Sequence, residues 1–411
     1  MKSNVKFCLK LVGIFVCLIV VYLISMMLSF ALPSDGVNAH YEQAKVIIES
    51  EGLYPNSFYR SDGSIMDNAT DNSMLTTSLK YDDMSLRFNA LYNRGYARYW
   101  HGYVVFLRPL LMFVDYLAIR KIVSAVHMIL FILALFTIHK RFGYRATIPF
   151  GVTWFAFFSA TATTSLQYFS SYVVMFIGTI LVCRFYKEQK SWKFLSCLFM
   201  VIGSVINFLD LLTFPLITLA VPLIFVILVD ILERKKTMLQ MIANIAVSSI
   251  VWAVSYALTW VLKWVLCAVI LKSGVISNAL KQAEYRMVGD ENFVIDRVKV
   301  LTANIEGPML LKTFLNSLVP WILLVVIIIL QRRWKECFRF LPLICIGIMP
   351  YVWYEVLVNH SQQHRFFTYR AQMGTLLIIL LMFFYAMFPI KIKDVVSWVK
   401  NKMMKNKKKK D

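Results

Sequence analysis

The chain has 411 residues, of which 59% are hydrophobic, 15% aromatic and only 16% charged, with a mean hydropathy of +0.63. Soluble domains carry about a quarter charged residues, so the composition excludes an ordinary soluble fold and indicates a membrane protein. The net charge of +21 does not signal a nucleic-acid partner, because the lysines and arginines sit in short clusters between apolar runs and in a C-terminal tail, and no zinc-finger or RNA-binding motif occurs.

The first apolar run, 11–32, is longer than the ~7–15 residues of a signal-peptide core and lacks a small-residue cleavage site, so it is expected to stay as a transmembrane helix. A spanning helix needs about 20 mostly apolar residues. On that basis ten crossings are expected, near 11–32, 122–138, 146–164, 170–184, 194–210, 212–231, 239–261, 314–330, 340–358 and 372–389. Basic residues gather before the first crossing (Lys2, Lys6, Lys10) and after the second (Lys140, Arg141), fourth (Arg184, Lys187), sixth (Arg234, Lys235, Lys236), eighth (Arg332, Arg333) and tenth (Lys391, Lys393). This pattern assigns both termini to the cytoplasm. The expected fold is therefore an all-α polytopic bundle in one domain, 1–411, in a cell membrane, with a bacterial plasma membrane as the expected setting. Its first external loop is 33–121 and its second large one 263–311. The basic tail 391–411 would contact anionic lipid, and it also fits a dilysine retrieval signal in a eukaryotic host.

Within the first loop, 104–119 is apolar but interrupted by Arg108, Pro109 and Asp115, and it reads as a helix lying along the interface. As a crossing it would invert every later loop and place the basic clusters outside. The seven cysteines show no metal or redox spacing and read as small packing residues.

The external loops hold nearly all the unusual chemistry. In Asp67-Asn-Ala-Thr-Asp71 two carboxylates four apart share a face if helical; one could act as a general base, or Asp67 could cap the helix with Asp71 in its first turn. Asn68-Ala-Thr70 and Asn359-His-Ser361 match the glycosylation sequon, a pattern too short to weigh alone. Tyr99, Trp100 and Tyr103 fit either a membrane-belt anchor or a sugar-stacking surface, with His101 and Arg108 able to hold a phosphate beneath it. Asp210, in a turn before Pro215, is either catalytic or paired with an arginine across the bundle. Lys263 either snorkels or holds a lipid phosphate. The densest stretch is Asn359 to Arg370. His360 and His364 lie four apart without a His-Glu-x-x-His pattern, so no metal ligand set is assigned and a divalent cation stands only as a candidate through that pair. Arg365, Tyr369 and Arg370 match a phosphate clamp.

Taken with the long first loop, these pieces resemble the GT-C class of integral membrane glycosyltransferases, which use polyprenyl-phosphate-linked sugars. At motif level the chain is similar to a group of bacterial membrane proteins of GT-C-like character. The matching pieces are Asp67-Asn-Ala-Thr-Asp71, Tyr99-Trp-His-Gly-Tyr103 with Arg108-Pro109, Asp210-Leu-Leu-Thr-Phe-Pro215 and Asn359-His-Ser-x-x-His364-x-Phe-Phe-Thr-Tyr-Arg370. The resemblance implies an inverting transfer at the external face, from a polyprenyl-phosphate-sugar donor to a glycan acceptor, with the bilayer as the other partner. GT-C enzymes commonly place the catalytic acid soon after the first crossing, where this chain offers only Asp35. Asp67 or Asp71 is therefore the expected base, with Arg365, Arg370, Lys263 and His364 facing the leaving phosphate. The rival functions are a transporter or flippase of a lipid-linked or anionic substrate, and a polysaccharide polymerase or ligase.

Overall fold

A computed structural model describes residues 2–57, 62–187, 192–290, 294–306 and 334–387. Its elements run α1 (Lys2–Ala31), α2 (Asp35–Glu51), α3 (Asn68–Thr77), α4 (Leu86–Tyr92), α5 (Val104–Phe113), α6 (Tyr116–Phe142), α7 (Tyr144–Ala156), α8 (Leu166–Phe185), α9 (Trp192–Leu209), α10 (Ile217–Glu233), α11 (Met238–Leu271), α12 (Val275–Val288) and α13 (Arg297–Glu306). Short helices at Trp334–Phe338, Pro342–Gly347, Met349–Val356 and Val358–Gln363 follow, before the stretch Arg365–Tyr385. The chain is an all-α polytopic bundle: among the described residues, α1, α6, α8, α9, α11 and Arg365–Tyr385 are long and apolar enough to cross a membrane.

The expected crossings differ from this where hydropathy misleads. The run 146–164 gives only α7, because the Ser/Thr/Ala tract after Phe158 prefers a tight turn, seen as a 3₁₀ segment at Ser159–Thr163. The run 212–231 gives α10, whose residues from Ile217 to Ile231 are all buried, so its apolar sides face protein all round. The run 340–358 is broken into two short helices, with Pro350 in the first turn of the second. The run 314–330 and the tail 391–411 lie outside the described residues. The interfacial helix expected over 104–119 stops at Phe113. Asp115 accepts the Ala118 N–H at 2.8 Å and so starts α6 at Tyr116, ahead of the expected boundary near 122.

Small residues bring the spanning helices together, as expected where lipid gives no hydrophobic drive between them. A Cβ on Gly203 of α9 would sit 2.4 Å from both the Trp252 carbonyl and Ser255 Oγ of α11. The Thr259 hydroxyl donates to Ser204 Oγ at 2.9 Å, and Tyr22 of α1 shares a hydrogen bond with the same serine at 3.1 Å.

The basic clusters meet at one end of the bundle, where Arg141 pairs with Glu233 at 3.6 Å, Lys236 with Asp230 at 2.9 Å and Arg234 with Glu336 at 3.3 Å. The opposite end is built by the 32–115 segment, the start of α8, the turn after α9, α12 and the 357–370 stretch. It also holds most of the backbone strain: Asn93, Arg94, His101, Phe158 and Leu212 all have φ near +50° to +66°. A non-glycine residue there costs about 1–3 kcal/mol and persists only when its surroundings hold it.

Candidate functional site

The two first-loop carboxylates sit one turn apart, and each has a structural task. Asp67 caps α3, accepting the Thr70 N–H at 2.9 Å on one oxygen and the Thr70 hydroxyl at 2.8 Å on the other. Asp71 is fully buried and accepts from the Tyr116 hydroxyl at 2.8 Å, from the N–H groups of Leu166 and Gln167 at 3.0 Å each, and from Ser165 Oγ at 3.3 Å. The first N–H groups of α8 have no partner within their own helix, and Asp71 supplies one. Arg120 donates to Tyr116 Oη at 2.8 Å and pairs with Glu51 at 2.8 Å. The chain Glu51–Arg120–Tyr116–Asp71 thereby fastens the first loop to α6 and α8. Burial pushes both carboxyls upward, Asp67 to about 6.

Four residues expected at the ligand are instead enclosed in the scaffold. Arg108 donates to the carbonyls of Ser29, Leu32 and Ser78 at 2.7–3.0 Å and to Ser34 Oγ at 3.0 Å, closing the free C-terminal carbonyls of α1. Lys263 gives its ammonium protons to the carbonyls of Ala90 and Leu91 and to Asn93 Oδ1 at 2.8–3.2 Å. His101 bridges the Tyr96 carbonyl and the Tyr103 hydroxyl, and burial pushes it down to about 3, so it is neutral. Trp100 is sealed in, its indole N–H donating to the Thr259 carbonyl at 2.7 Å. None of the four presents a free donor to a ligand. Replacing Arg108 by Met is accordingly expected to lower the unfolding free energy by roughly 3 kcal/mol, because several buried carbonyls lose their donors at about 1 kcal/mol or more each. Denaturant unfolding in detergent measures it, and a loss below about 1 kcal/mol would contradict the capping role.

Asp210 is placed differently. The backbone N–H of Thr213 donates to Oδ2 at 2.7 Å and Ser171 Oγ to Oδ1 at 3.4 Å, and the Thr213 hydroxyl and the Leu212 N–H also bond the carboxylate. Burial pushes this carboxyl up to about 6. Beside it lie Tyr256 and Asn207, buried to 6% and 1% exposure, whose hydroxyl and amide face each other. This turn therefore gathers a buried carboxyl, a phenol and an amide between two helices.

The turn carrying Asp210 is held by the 357–370 stretch. His360 donates from Nε2 to the carbonyl of the strained Leu212 at 2.9 Å and accepts from Arg286 Nη1 at 2.5 Å on Nδ1, the tautomer that both bonds require. His364 lies against His360 with ring centroids 4.8 Å apart. Burial and the adjacent Arg286 push both histidines down, His364 to about 4, so both are neutral near pH 7. Positive charge at this end is thus not histidine charge. Both His360 nitrogens are engaged, and among the described residues no three His, Cys, Asp or Glu side chains gather as a metal site.

Arg370 is fully buried and has no carboxylate partner among the described residues. It donates to the carbonyls of Gly63 at 2.8 Å and Phe366 at 3.2 Å, lies 4.8 Å from the ring centres of Tyr168 and Tyr369, and leaves Nε without an acceptor. Tyr369 donates to the same Gly63 carbonyl at 2.9 Å. The first loop and the 359–370 stretch, 306 and 307 positions apart at these two contacts, therefore meet at Gly63. Arg365 is exposed and stands apart from this contact. The first turns of α8 join all the pieces: Gln167 reaches Asp71, Tyr168 lies under Arg370 and Ser171 reaches Asp210.

An apolar groove of about 440 Å³ runs along α5, α6, α8 and α9, between residues such as Leu110, Val126, Phe169, Val173 and Val205. Its upper wall includes Ser170 and Leu209, so it abuts the α8–α9 seam beside Asp210. Sequence reasoning missed Arg286, Asn207, Tyr256 and Trp260. The aromatic repeat at 252, 256, 260 and 264 was the available signal for two of these; nothing local marks Arg286. No protein-family model, curated protein or solved structure matches this chain.

Proposed function

We propose that the chain is a membrane glycosyltransferase that moves a sugar from a polyprenyl-phosphate-linked donor to a cell-envelope glycan or lipid-linked acceptor, on the outer side of a bacterial plasma membrane with both termini inside. The observation that carries this reading is the buried carboxyl of Asp210, pushed up to about 6, set near Tyr256, Asn207 and Arg286 and one helix seam away from an apolar groove. Asp210 takes the proton from an acceptor hydroxyl as that oxygen attacks the anomeric carbon. The bond from that carbon to the phosphate oxygen breaks, and its electron pair leaves on the phosphate. Arg286 and Arg370 offset the growing negative charge, and fixed charge in a dry site is the largest single lever on such a reaction. His360 orients Arg286. The groove suits the prenyl chain.

Glycan analysis of the envelope tests this in a deletion strain complemented with wild type or with Asp210→Asn. One defined sugar should disappear and return with wild type alone; an unchanged envelope with confirmed expression refutes the reading.

The raised carboxyls also set opposite pH trends. Asp67 and Asp210 titrate near 6 in the fold but near 3.8 when unfolded, so the folded chain holds more protons between those values. The contribution of these two groups to stability is therefore greatest below about pH 4 and falls as pH rises through 6, by up to about 1.4 kcal/mol per pH unit for each group. Transfer rises over the same range as Asp210 ionises. Asp67→Asn should flatten part of the stability slope and leave the activity limb in place; loss of the activity limb instead would make Asp67 the base.

A further inference from the structure

We propose that α12 is seated in the headgroup–acyl boundary of the bilayer through Ile276, Leu280 and Met287, so that a lipid surface is the partner of its outward face. The seat stands whether or not the chain transfers sugar. Positions 276, 280, 283 and 287 follow the i, i+4, i+7, i+11 spacing of one helix face. Ile276, Leu280 and Met287 are 40%, 58% and 40% exposed there, and Ala283 is half-buried among them. Ser277, Lys281 and Glu284 form the next strip round the helix and are exposed as well. An apolar strip beside a polar one is the pattern of a helix lying in a lipid interface rather than across it.

The level of α12 along the bundle decides what its apolar strip meets. Phe7 meets Trp192 edge-on at the start of α9, Tyr22 stacks on Phe208 at its end, and Ser204 bonds both Tyr22 and Thr259. Past that level Ile24 and Leu28 of α1, and Val261, Val265 and Val269 of α11, still turn outward as the lipid-facing sides of two crossing helices. The 34 residues of α11 span about 51 Å against a hydrocarbon core of ~30 Å, so its final turns reach the headgroup layer. α12 folds back along those turns. At one end Val275 packs with Leu266 and Leu271 against Leu91, Ala97 and Cys267, and at the other Arg286 shares a narrow cleft with Trp260. The apolar strip of α12 therefore continues the lipid-facing surface of α11 at the depth where the bilayer turns polar.

The inner side of α12 is fixed. Ala279 is buried, Asn359 Nδ2 donates to the Tyr285 carbonyl at 2.7 Å, and Gln363 Nε2 donates to the Tyr285 hydroxyl at 2.7 Å. With that side held, Ile276, Leu280 and Met287 have no way to turn inward. Trp260 and Trp264 stand beside α12 with ring centroids 6.0 Å apart, and tryptophan gathers at membrane interfaces. The stem of Lys281 can lie along the boundary while its ammonium stays in water. On the inner side Arg286 bonds His360, and His360 holds the Leu212 carbonyl, so the seat of α12 is linked to the turn that carries Asp210.

The test is nitroxide scanning of the full chain in nanodiscs of phosphatidylcholine and phosphatidylglycerol, one chain per disc. Cys8, Cys17, Cys197 and Cys345, which are not buried, are first replaced by Ala. Single labels then enter through Ile276→Cys, Leu280→Cys or Met287→Cys on the apolar strip, and through Ser277→Cys, Lys281→Cys or Glu284→Cys on the polar one. All six positions are exposed, so these substitutions leave the fold in place. Molecular oxygen concentrates in lipid, whereas a nickel chelate stays in water. The ratio of oxygen to nickel collision rates should be higher by about fivefold or more at 276, 280 and 287 than at 277, 281 and 284. Equal ratios on the two strips would put the whole outward face in water and overturn the seat. Exclusion of both reagents from 276, 280 and 287 would show protein where lipid is expected, and overturns it as well.

Discussion

Replacing Asp210 by Asn is expected to lower sugar transfer by about 10²–10⁴-fold, the range for removing a general base, while stability at pH 7 stays level or rises. The two halves of that result come from the same fact. The buried carboxylate is unfavourable when ionised, its pKa being raised to about 6, and Asn is a neutral isostere that still accepts the Thr213 N–H. A purely structural Asp210 would behave in the opposite way, with activity following whatever stability was lost. Initial-rate assays beside thermal unfolding of the same preparation separate the two, and a variant within threefold of wild-type activity would end the assignment.

Arg370→Met should likewise lose transfer, by at least 10²-fold, without losing the fold. Removing one partner of a buried ion pair usually costs about 3–5 kcal/mol, because it strands the other charge. Arg370 has no such partner among the described residues, and the Gly63 carbonyl retains the Tyr369 hydroxyl. The guanidinium does lose its contacts with the Tyr168 and Tyr369 rings, so the expected stability loss is about 1–2 kcal/mol. Destabilisation beyond about 3 kcal/mol, with activity restored in proportion by a stabilising lipid, would mark Arg370 as scaffold in the manner of Arg108.

Much of the bundle was legible because lipid-facing helices must be apolar over their whole length. Hydropathy has no means of distinguishing lipid from protein interior, which is why α10 read as a lipid-facing crossing although it is surrounded by protein. It also smoothed over Pro350 and over Asp115, whose capping role needs only the Asp-x-x-Ala118 spacing to be noticed. At the site, Asp210 and the 359–370 stretch were visible because polar groups between apolar runs are costly. The roles of Arg108 and Lys263 were not. Whether a cation meets a ligand or the open end of a helix depends on residues about 75 and 170 positions away, and no local pattern records that.

The embedding of Lys263 has a consequence for how the chain is made. A lysine at membrane depth costs ~2.5–3.5 kcal/mol on insertion scales, and α11 emerges from the ribosome with that charge unshielded. Its shelter is the C-terminal end of α4, which has by then already been synthesised. Biogenesis is therefore ordered: the first loop must have folded and waited near the membrane before α11 can settle. Truncations that delete α4 should leave α11 poorly inserted, so a lesion near residue 90 would be felt as a topology fault near residue 263.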